Sequence, residues 1–269
     1  MLIKLVDWNV GAIWSVRSAI SAAALWALRR PSFGHISGAE WRAACALAST
    51  TGLFILANKL TTAANAILIQ YSAPIWVALL SSWQLGERAS RLDWLTIATV
   101  IGGVALFFFE QLTLDHVAGN LVAVAAGIAF AVSVTSFRQV ALTPGRTGTL
   151  DPLRPMLLGN ILGALLGAPF VLMSPPPGLI GWSALLALGL FQQAAAYLLY
   201  ARSIRHATAL EATLMAAIEP ILSPIWVAIA FGERPGPWAL AGGAVVLAAI
   251  TARGVFGGSK RSQAHQAPA

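Results

Sequence analysis

Apolar residues run along this chain in blocks of about 20, separated by short stretches rich in turn formers and arginine. That is the length at which an α-helix crosses the hydrocarbon core of a bilayer, about 30 Å thick. The pattern predicts nine spans, at approximately 7–28, 40–58, 64–83, 92–109, 117–137, 153–173, 179–200, 209–230 and 237–254. The breaks between them carry turn and charge signals: Arg29-Arg30-Pro31, Gly86-Glu87-Arg88, Thr143-Pro144-Gly145-Arg146, Pro175-Pro176-Pro177 and Pro235-Gly236-Pro237. No connection is long enough to hold a soluble domain, and the polar, basic stretch 257–269 is expected to be a disordered cytoplasmic tail.

Composition agrees with the pattern. Of 269 residues, 58% are hydrophobic and 10% charged, whereas a soluble domain carries about 25% charged residues. A chain of this length cannot enclose that much apolar surface, so much of it must face lipid. The net charge of +7 sits in short clusters between apolar blocks, without interleaved aromatics, and this excludes nucleic acid as a partner. The single cysteine, Cys45, excludes an intrachain disulfide framework or a thiolate metal site, and is read as a packing residue.

Cytoplasmic loops are enriched in lysine and arginine, which tests the span count. With the carboxyl terminus cytoplasmic, thirteen basic residues fall on that side: Arg29, Arg30, Arg42, Arg88, Arg91, Arg138, Arg146, Arg154, Arg202, Arg205, Arg253, Lys260 and Arg261. Only Lys4, Lys59 and Arg234 fall on the other, with Arg17 inside span one. A missed or invented helix would swap the sides of everything after it.

The chain also repeats itself. An offset of 146 residues lays Pro74-Ile75 on Pro220-Ile221 and Gly86-Glu87-Arg88 on Gly232-Glu233-Arg234, and it matches Thr62, Ala63, Ala66 and Leu68 with Thr208, Ala209, Ala212 and Leu214. The same offset lays spans one to four on six to nine and leaves span five over. The expected unit therefore has five helices. The first repeat, 1–112, lacks its first helix, and the second, 113–256, is whole. An odd number of helices per unit inverts one copy relative to the other.

Candidate chemistry lies at polar and proline positions inside the spans. Proline removes a backbone hydrogen bond and clashes with the carbonyl four residues earlier, so Pro74, Pro220 and Pro224 predict kinks in spans three and eight, with carbonyls freed at Gln70, Ala216 and Pro220. Interrupted helices at matching places in two halves point to a midplane site; the plainer reading is a packing kink. Glu219 is the one acid deep in a span, where a carboxylate costs about 2.5–3.5 kcal/mol unless it meets water or a proton, so protons are a candidate coupling ion. Its plainer reading is a neutral acid bonded to a neighbouring helix. Arg17 lies roughly 15 Å along span one, within reach of the surface by snorkelling, or else binds an anionic group such as a carboxylate. Trp14, Asn65, Gln70, Tyr71, Gln192, Gln193 and Tyr197 complete the substrate-cavity candidates, each weighed against a plain interhelical bond or a lipid-interface aromatic. Glu211 is read as solvated. Gly159-x-x-x-Gly163-x-x-x-Gly167 lines one face of span six and permits close helix approach.

No His-Glu-x-x-His, Gly-x-Ser-x-Gly or phosphate-binding loop is present, and His35, His116, His206 and His265 all lie in loops or the tail, so no enzyme, metal or cofactor chemistry is expected. Active transport would draw on an ion or substrate gradient.

Ala63-x-x-Ala66 leading through Gln70-Tyr71-Ser72-Ala73-Pro74 to Gly86-Glu87, and Ala209-x-x-Ala212 leading through Glu219-Pro220 to Gly232-Glu233, resemble the EamA-type family of the drug/metabolite transporter superfamily, whose members have ten helices in two five-helix repeats. The resemblance covers nearly the whole chain. It implies an all-α, multi-pass secondary transporter of the bacterial inner membrane, exporting or exchanging amino acids, metabolites or related small molecules by alternating access, and a homodimer is compatible with it. The alternative is an accessory membrane protein derived from the family that does not transport. The same resemblance makes Glu219-Pro220 a common feature across different substrates.

Overall fold

The computed structural model describes residues 6–30, 34–112, 116–145, 148–219 and 236–264. It is a polytopic helical bundle: α1 Val10–Arg29, α2 Gly38–Leu60, α3 Ala63–Gln70, α4 Ala73–Gln84, α5 Arg91–Phe107, α6 Val117–Leu142, α7 Leu153–Leu172, α8 Leu179–Ala187, α9 Ala196–Ser203, α10 Ala209–Ala216 and α11 Pro237–Ala264. A π-helical segment, Leu188–Ala195, joins α8 to α9 into one rod. The turn predicted at 143–146 closes as a two-residue antiparallel pairing of Pro144–Gly145 with Gly148–Thr149. Among the described residues seven helices are long and apolar enough to cross a membrane. The two further expected spans are α5, whose 17 residues rise about 25 Å and run towards a 3-10 turn at Phe109–Gln111, and the one opened by α10, whose remainder lies outside the described residues.

Helix starts are fixed by side-chain caps, which satisfy backbone N–H groups that the helix itself leaves unpaired. Ser37 with Glu40, Ser90 with Asp93 and Thr208 with Glu211 form reciprocal capping boxes. Glu211, expected to be solvated, is thus a structural cap. Helix α11 runs past Gly257 to Ala264, into the stretch expected to leave regular structure. Extending an existing helix costs little compared with starting one, and no proline interrupts the sequence before Pro268.

Contacts between the connections follow the alternation that nine crossings require. At one end Arg154 donates to the carbonyls of Gly34 and His35 and pairs with Glu40, Arg138 pairs with Glu87 and donates to the carbonyls of Ile204 and Arg205, Arg205 pairs with Asp151, and Arg253 bridges Asp93 and Glu211. These join the connections after expected spans one, three, five and seven to the end of span nine. At the other end Trp8 donates to the carbonyl of Ser174, Thr61 donates to Asn120, and the Phe109 and Trp238 rings lie 5.2 Å apart. These join the connections before span one and after two, four, six and eight. All four paired arginines belong to the thirteen assigned to one side.

Two apolar clusters hold the bundle, and α6 belongs to both. Val77, Val100, Val134, Leu214 and Val246 join α4, α5, α6, α10 and α11. Leu25, Leu47, Phe137, Met156 and Ile204 join α1, α2, α6, α7 and the end of α9. The periphery is apolar as well: Leu172, Leu179 and Trp83 are 89%, 86% and 82% exposed, as side chains in contact with lipid should be. Cys45, expected to pack inside, stands on this outer surface.

The glycine stripe of α7 lies against α1 and α2. A β-carbon at Gly159 would stand 2.9 Å from the Ala44 carbonyl oxygen, and one at Gly167 would stand 2.8 Å from both the Gly11 carbonyl oxygen and Ser15 Cβ. Ser15 Oγ donates to the carbonyl of Ala164 at 2.7 Å across this contact. Gly167→Val should therefore force α1 and α7 apart and cost about 1–3 kcal/mol, read as a lower thermal midpoint in detergent. Gly102→Ala, where an added methyl meets nothing within 4 Å, should leave the midpoint unchanged or raise it slightly.

Candidate functional site

The site is built where two short helices end. Helices α3 and α10 cover 63–70 and 209–216, so both boundaries differ by the repeat offset of 146, as do the starts of α5 and α11 at 91 and 237. Thr62 and Thr208 cap their helices in the same way, accepting from the N–H groups of Asn65 and Glu211 at 3.1 and 3.2 Å. The caps lie at opposite ends of the bundle. Asn65 donates to Thr61 and to Asn120 at the start of α6, whereas the Ala209 N–H donates to Glu87 at 3.2 Å, beyond the end of α4. The two C-termini meet inside, where the Tyr71 hydroxyl donates to the Ala216 carbonyl at 3.4 Å.

Pro74 does more than kink span three. The chain turns at Tyr71-Ser72 and restarts at Ala73, with Pro74 in the first turn of α4, where its missing N–H would have no helical partner anyway. Gly127 of α6 passes beside the break; a β-carbon there would lie 3.6 Å from the Gln70 carbonyl oxygen.

Two cavities share Glu219 as a wall. One, about 110 Å³, is lined by Gln70, Tyr71 and Pro74 from the first half, Thr213 and Glu219 from the second, and Phe130 of α6. The other, about 220 Å³, is lined by Arg17, Gln192, Gln193, Tyr197 and Glu219. Seven of the nine predicted polar and aromatic candidates thus border one or other of these two cavities. Trp14 and Asn65 border neither. Trp14 donates to Thr51 at 3.1 Å with its ring over Gly52, and Asn65 is buried in the Thr61–Asn120 cluster, so both serve packing between helices. Pro220 and Pro224 lie outside the described residues.

The π-helical segment is a feature the apolar pattern does not predict. Such segments inside α-helices occur often at functional sites, and this one carries Gln192 and Gln193 to the cavity. Gly189 admits α1 closely, since a β-carbon there would stand 2.6 Å from Ile20 and 3.2 Å from the Arg17 carbonyl oxygen. Arg17 accordingly faces the cavity rather than snorkelling to the outer surface. Its Nε is buried without a hydrogen-bond partner, as is Gln193 Oε1. The Gln193 amide donates to Asn160 Oδ1 at 2.6 Å and to the Tyr197 hydroxyl at 3.5 Å, and Asn160 in turn donates to the Met156 carbonyl.

Beyond α4 the repeated Gly-Glu-Arg turn acquires a purpose. Gly86 has φ +69°, a conformation that favours glycine, and reverses the chain. Glu87 then accepts from Arg138 at 2.9 Å and from the N-terminus of α10, where its negative charge suits the helix dipole. Beside it a cavity of about 390 Å³ is lined by Arg88, Asp93, Glu211 and Arg253. Sequence reasoning treated Gly86, Glu87, Arg88, Arg138 and Arg253 as markers of topology and Glu211 as solvated; the ion pairs that close this end between the two halves needed the fold to be seen. Among the described residues no group of three His, Cys, Asp or Glu side chains could hold a metal ion.

Comparison with known proteins gives three findings. The model of the EamA-like transporter family matches residues 1–109 and 117–252. The chain is 26% identical over 203 residues to an uncharacterized transporter of Archaeoglobus fulgidus, covering 75% of this chain and 70% of that one. A solved crystal structure superposes with a TM-score of 0.77 at 19% identity, over 91% of this chain and 88% of that one, which establishes likeness of fold.

Glu87→Gln should leave Arg138 without its partner charge and weaken the bond at the α10 N-terminus. A loss of about 1.5–3 kcal/mol is expected, measured by thermal or denaturant unfolding, and a double-mutant cycle with Arg138→Gln should give a coupling energy well above that of an exposed pair.

Proposed function

Because this chain belongs to the EamA-like transporter family, we propose that it is a secondary transporter that exports or exchanges small molecules by alternating access, with the space around Glu219 as its substrate site. One observation carries the reading. Two short helices that end at equivalent positions of the repeat, Gln70 and Ala216, meet at the smaller cavity, joined by the Tyr71–Ala216 hydrogen bond. Irregular backbone at membrane depth is tolerated where it is buried in protein or borders a cavity, and repeat transporters bind substrates between such half-helices.

On this reading the repeats are 1–112 and 113–256, with the carboxyl terminus on the cytoplasmic face, the side that receives the basic residues. The ion pairs of Glu87 and Arg253 then form the cytoplasmic gate, holding the halves together at one end while substrate exchanges at the other. Opening that end would separate Glu87 from the N-terminus of α10 and Arg253 from Asp93 and Glu211. Glu219, between both halves, is the candidate proton carrier.

The test is flux of labelled amino acids and metabolites in proteoliposomes. Saturable flux that responds to an imposed pH gradient is expected for the natural chain. Glu219→Gln should lower gradient-driven flux by about tenfold or more, which corresponds to about 1.4 kcal/mol, and remove its pH dependence. Unchanged pH dependence would exclude Glu219 as the coupling residue, and absence of flux for every compound would count against transport.

A further inference from the structure

We infer that a basic hollow on the flank of the bundle, formed by the ends of α1 and α9 and the start of α7, binds the phosphate of an anionic phospholipid. It is separate from the two cavities around Glu219 and does not depend on what the protein transports.

The hollow, about 270 Å³, is lined by Arg29 of α1, Arg202 of α9, Arg205 and His206 of the turn that follows, and Asp151 before α7. Among the described residues Asp151 is the one acid of this lining, and it pairs with Arg205 at 3.5 Å. Three guanidinium groups therefore face one carboxylate. Arg29 and Arg202 enter no ion pair among the described residues, unlike Arg138, Arg154 and Arg253 at the same end. Each of the two stands in the last turn of its helix, where a cation offsets the carbonyl end of the helix dipole. That accounts for each arginine singly. It does not account for their convergence, with Arg205 and His206, on one space. A guanidinium presents a planar fork of donors that matches two oxygens of a phosphate, and the hollow offers two such forks that no carboxylate occupies.

The surroundings select a lipid phosphate over a soluble one. Both unpaired arginines stand at the end of a candidate span, the level at which lipid phosphates lie. Trp26 precedes Arg29 by three residues and Leu199 precedes Arg202 by three, so on each helix the two share a face. Trp26 and Leu199 are 52% and 64% exposed, and in a bilayer they meet acyl chains one turn deeper than the arginines. A soluble anion gains nothing from this apolar stripe, whereas a phospholipid lays its chains along it. The floor of the hollow, Leu153, Leu198 and Ala201, belongs to the apolar cluster that joins α1, α7 and α9, so packed helices rather than a loop hold the site. The volume equals roughly nine water-sized groups at about 30 Å³ each, room for a phosphodiester and the glycerol joined to it. Basic pockets between membrane helices hold anionic headgroups in this way. A choline headgroup would bring an ammonium group towards three arginines and is disfavoured.

The test is lipid binding by the purified full chain, stripped of lipid in neutral detergent and titrated with phosphatidylglycerol or phosphatidylcholine of the same acyl chains. Retained lipid is counted by native mass spectrometry. One phosphatidylglycerol should be held about tenfold or more tightly than phosphatidylcholine. Arg29→Gln with Arg202→Gln should remove this preference, and Arg29→Lys with Arg202→Lys should retain part of it. Arg88→Gln with Arg91→Gln removes as much charge from the same end but outside the hollow, and should leave the preference intact. The preference of the natural chain needs no variant, so misfolding of the glutamine pair would not conceal a negative result. Equal retention of the two lipids, a preference that survives the Arg29 and Arg202 glutamine pair, or one lost equally in the Arg88 and Arg91 pair would overturn the inference. Soluble glycerol phosphate that displaces phosphatidylglycerol at equal concentration would overturn it as well, because the site would then be one for a free anion.

Discussion

In hydrocarbon every backbone N–H and C=O must find its partner within the protein, because no water is there to take one. That constraint makes the chain helical, and it also makes each departure from the α-helix informative. The described spans depart at the Tyr71-Ser72 turn, at the end of α10 and along the π segment. All three lie beside Glu219 and its two cavities. Elsewhere the described spans meet through small residues, as at Gly159 and Gly167.

Helix α6 ties the arrangement together. It is the span that the internal repeat leaves over, yet it joins both apolar clusters, shelters the break of α3 with Gly127, closes the smaller cavity with Phe130, and ends at Arg138 in the ion-pair belt. On the alternating-access reading proposed above, a helix that touches both halves this extensively is the candidate axis, and the belt at one end is the contact that opening would break.

Apolar block length, loop charge and the 146-residue offset were enough to read the bundle, its alternation and the location of the break, because lipid imposes a simple length rule and repetition doubles each weak signal. The same reasoning could not separate Trp14 and Asn65 from the cavity candidates, since a polar residue in a span looks the same whether it bonds a neighbouring helix or borders a space. Nor could it find the π segment, which leaves no mark in hydropathy. Arg17 was ambiguous for a related reason: reach along the helix allows snorkelling, and only the approach of α1 to Gly189 decides its direction. Pro74-Ile75-Trp76-Val77-Ala78 recurs unchanged at 224–228, an offset of 150, although Gly86-Glu87-Arg88 returns at 146. The four-residue slip is about one helical turn, and it falls just after the interrupted position.

The repeat also separates scaffold from chemistry. Moving cavity residues by 146 gives Gly163 for Arg17, Ala216 for Gln70, Ala217 for Tyr71, Ala73 for Glu219 and Thr51 for Tyr197; Gln192 and Gln193 fall on Ala46 and Leu47, and Pro74 falls on Pro220. The caps and boundaries of α3 and α10 are duplicated, while the guanidinium, carboxylate and amide groups that line the cavities occur in one half or the other. Duplicated geometry suits a machine whose two conformations are near mirror versions of one another. Two arginines or two glutamates at equivalent positions would instead make a symmetric site, favouring one sign of charge. By holding glycine opposite Arg17 and alanine opposite Glu219, the chain repeats its helix geometry and leaves the charged groups of its cavities unrepeated.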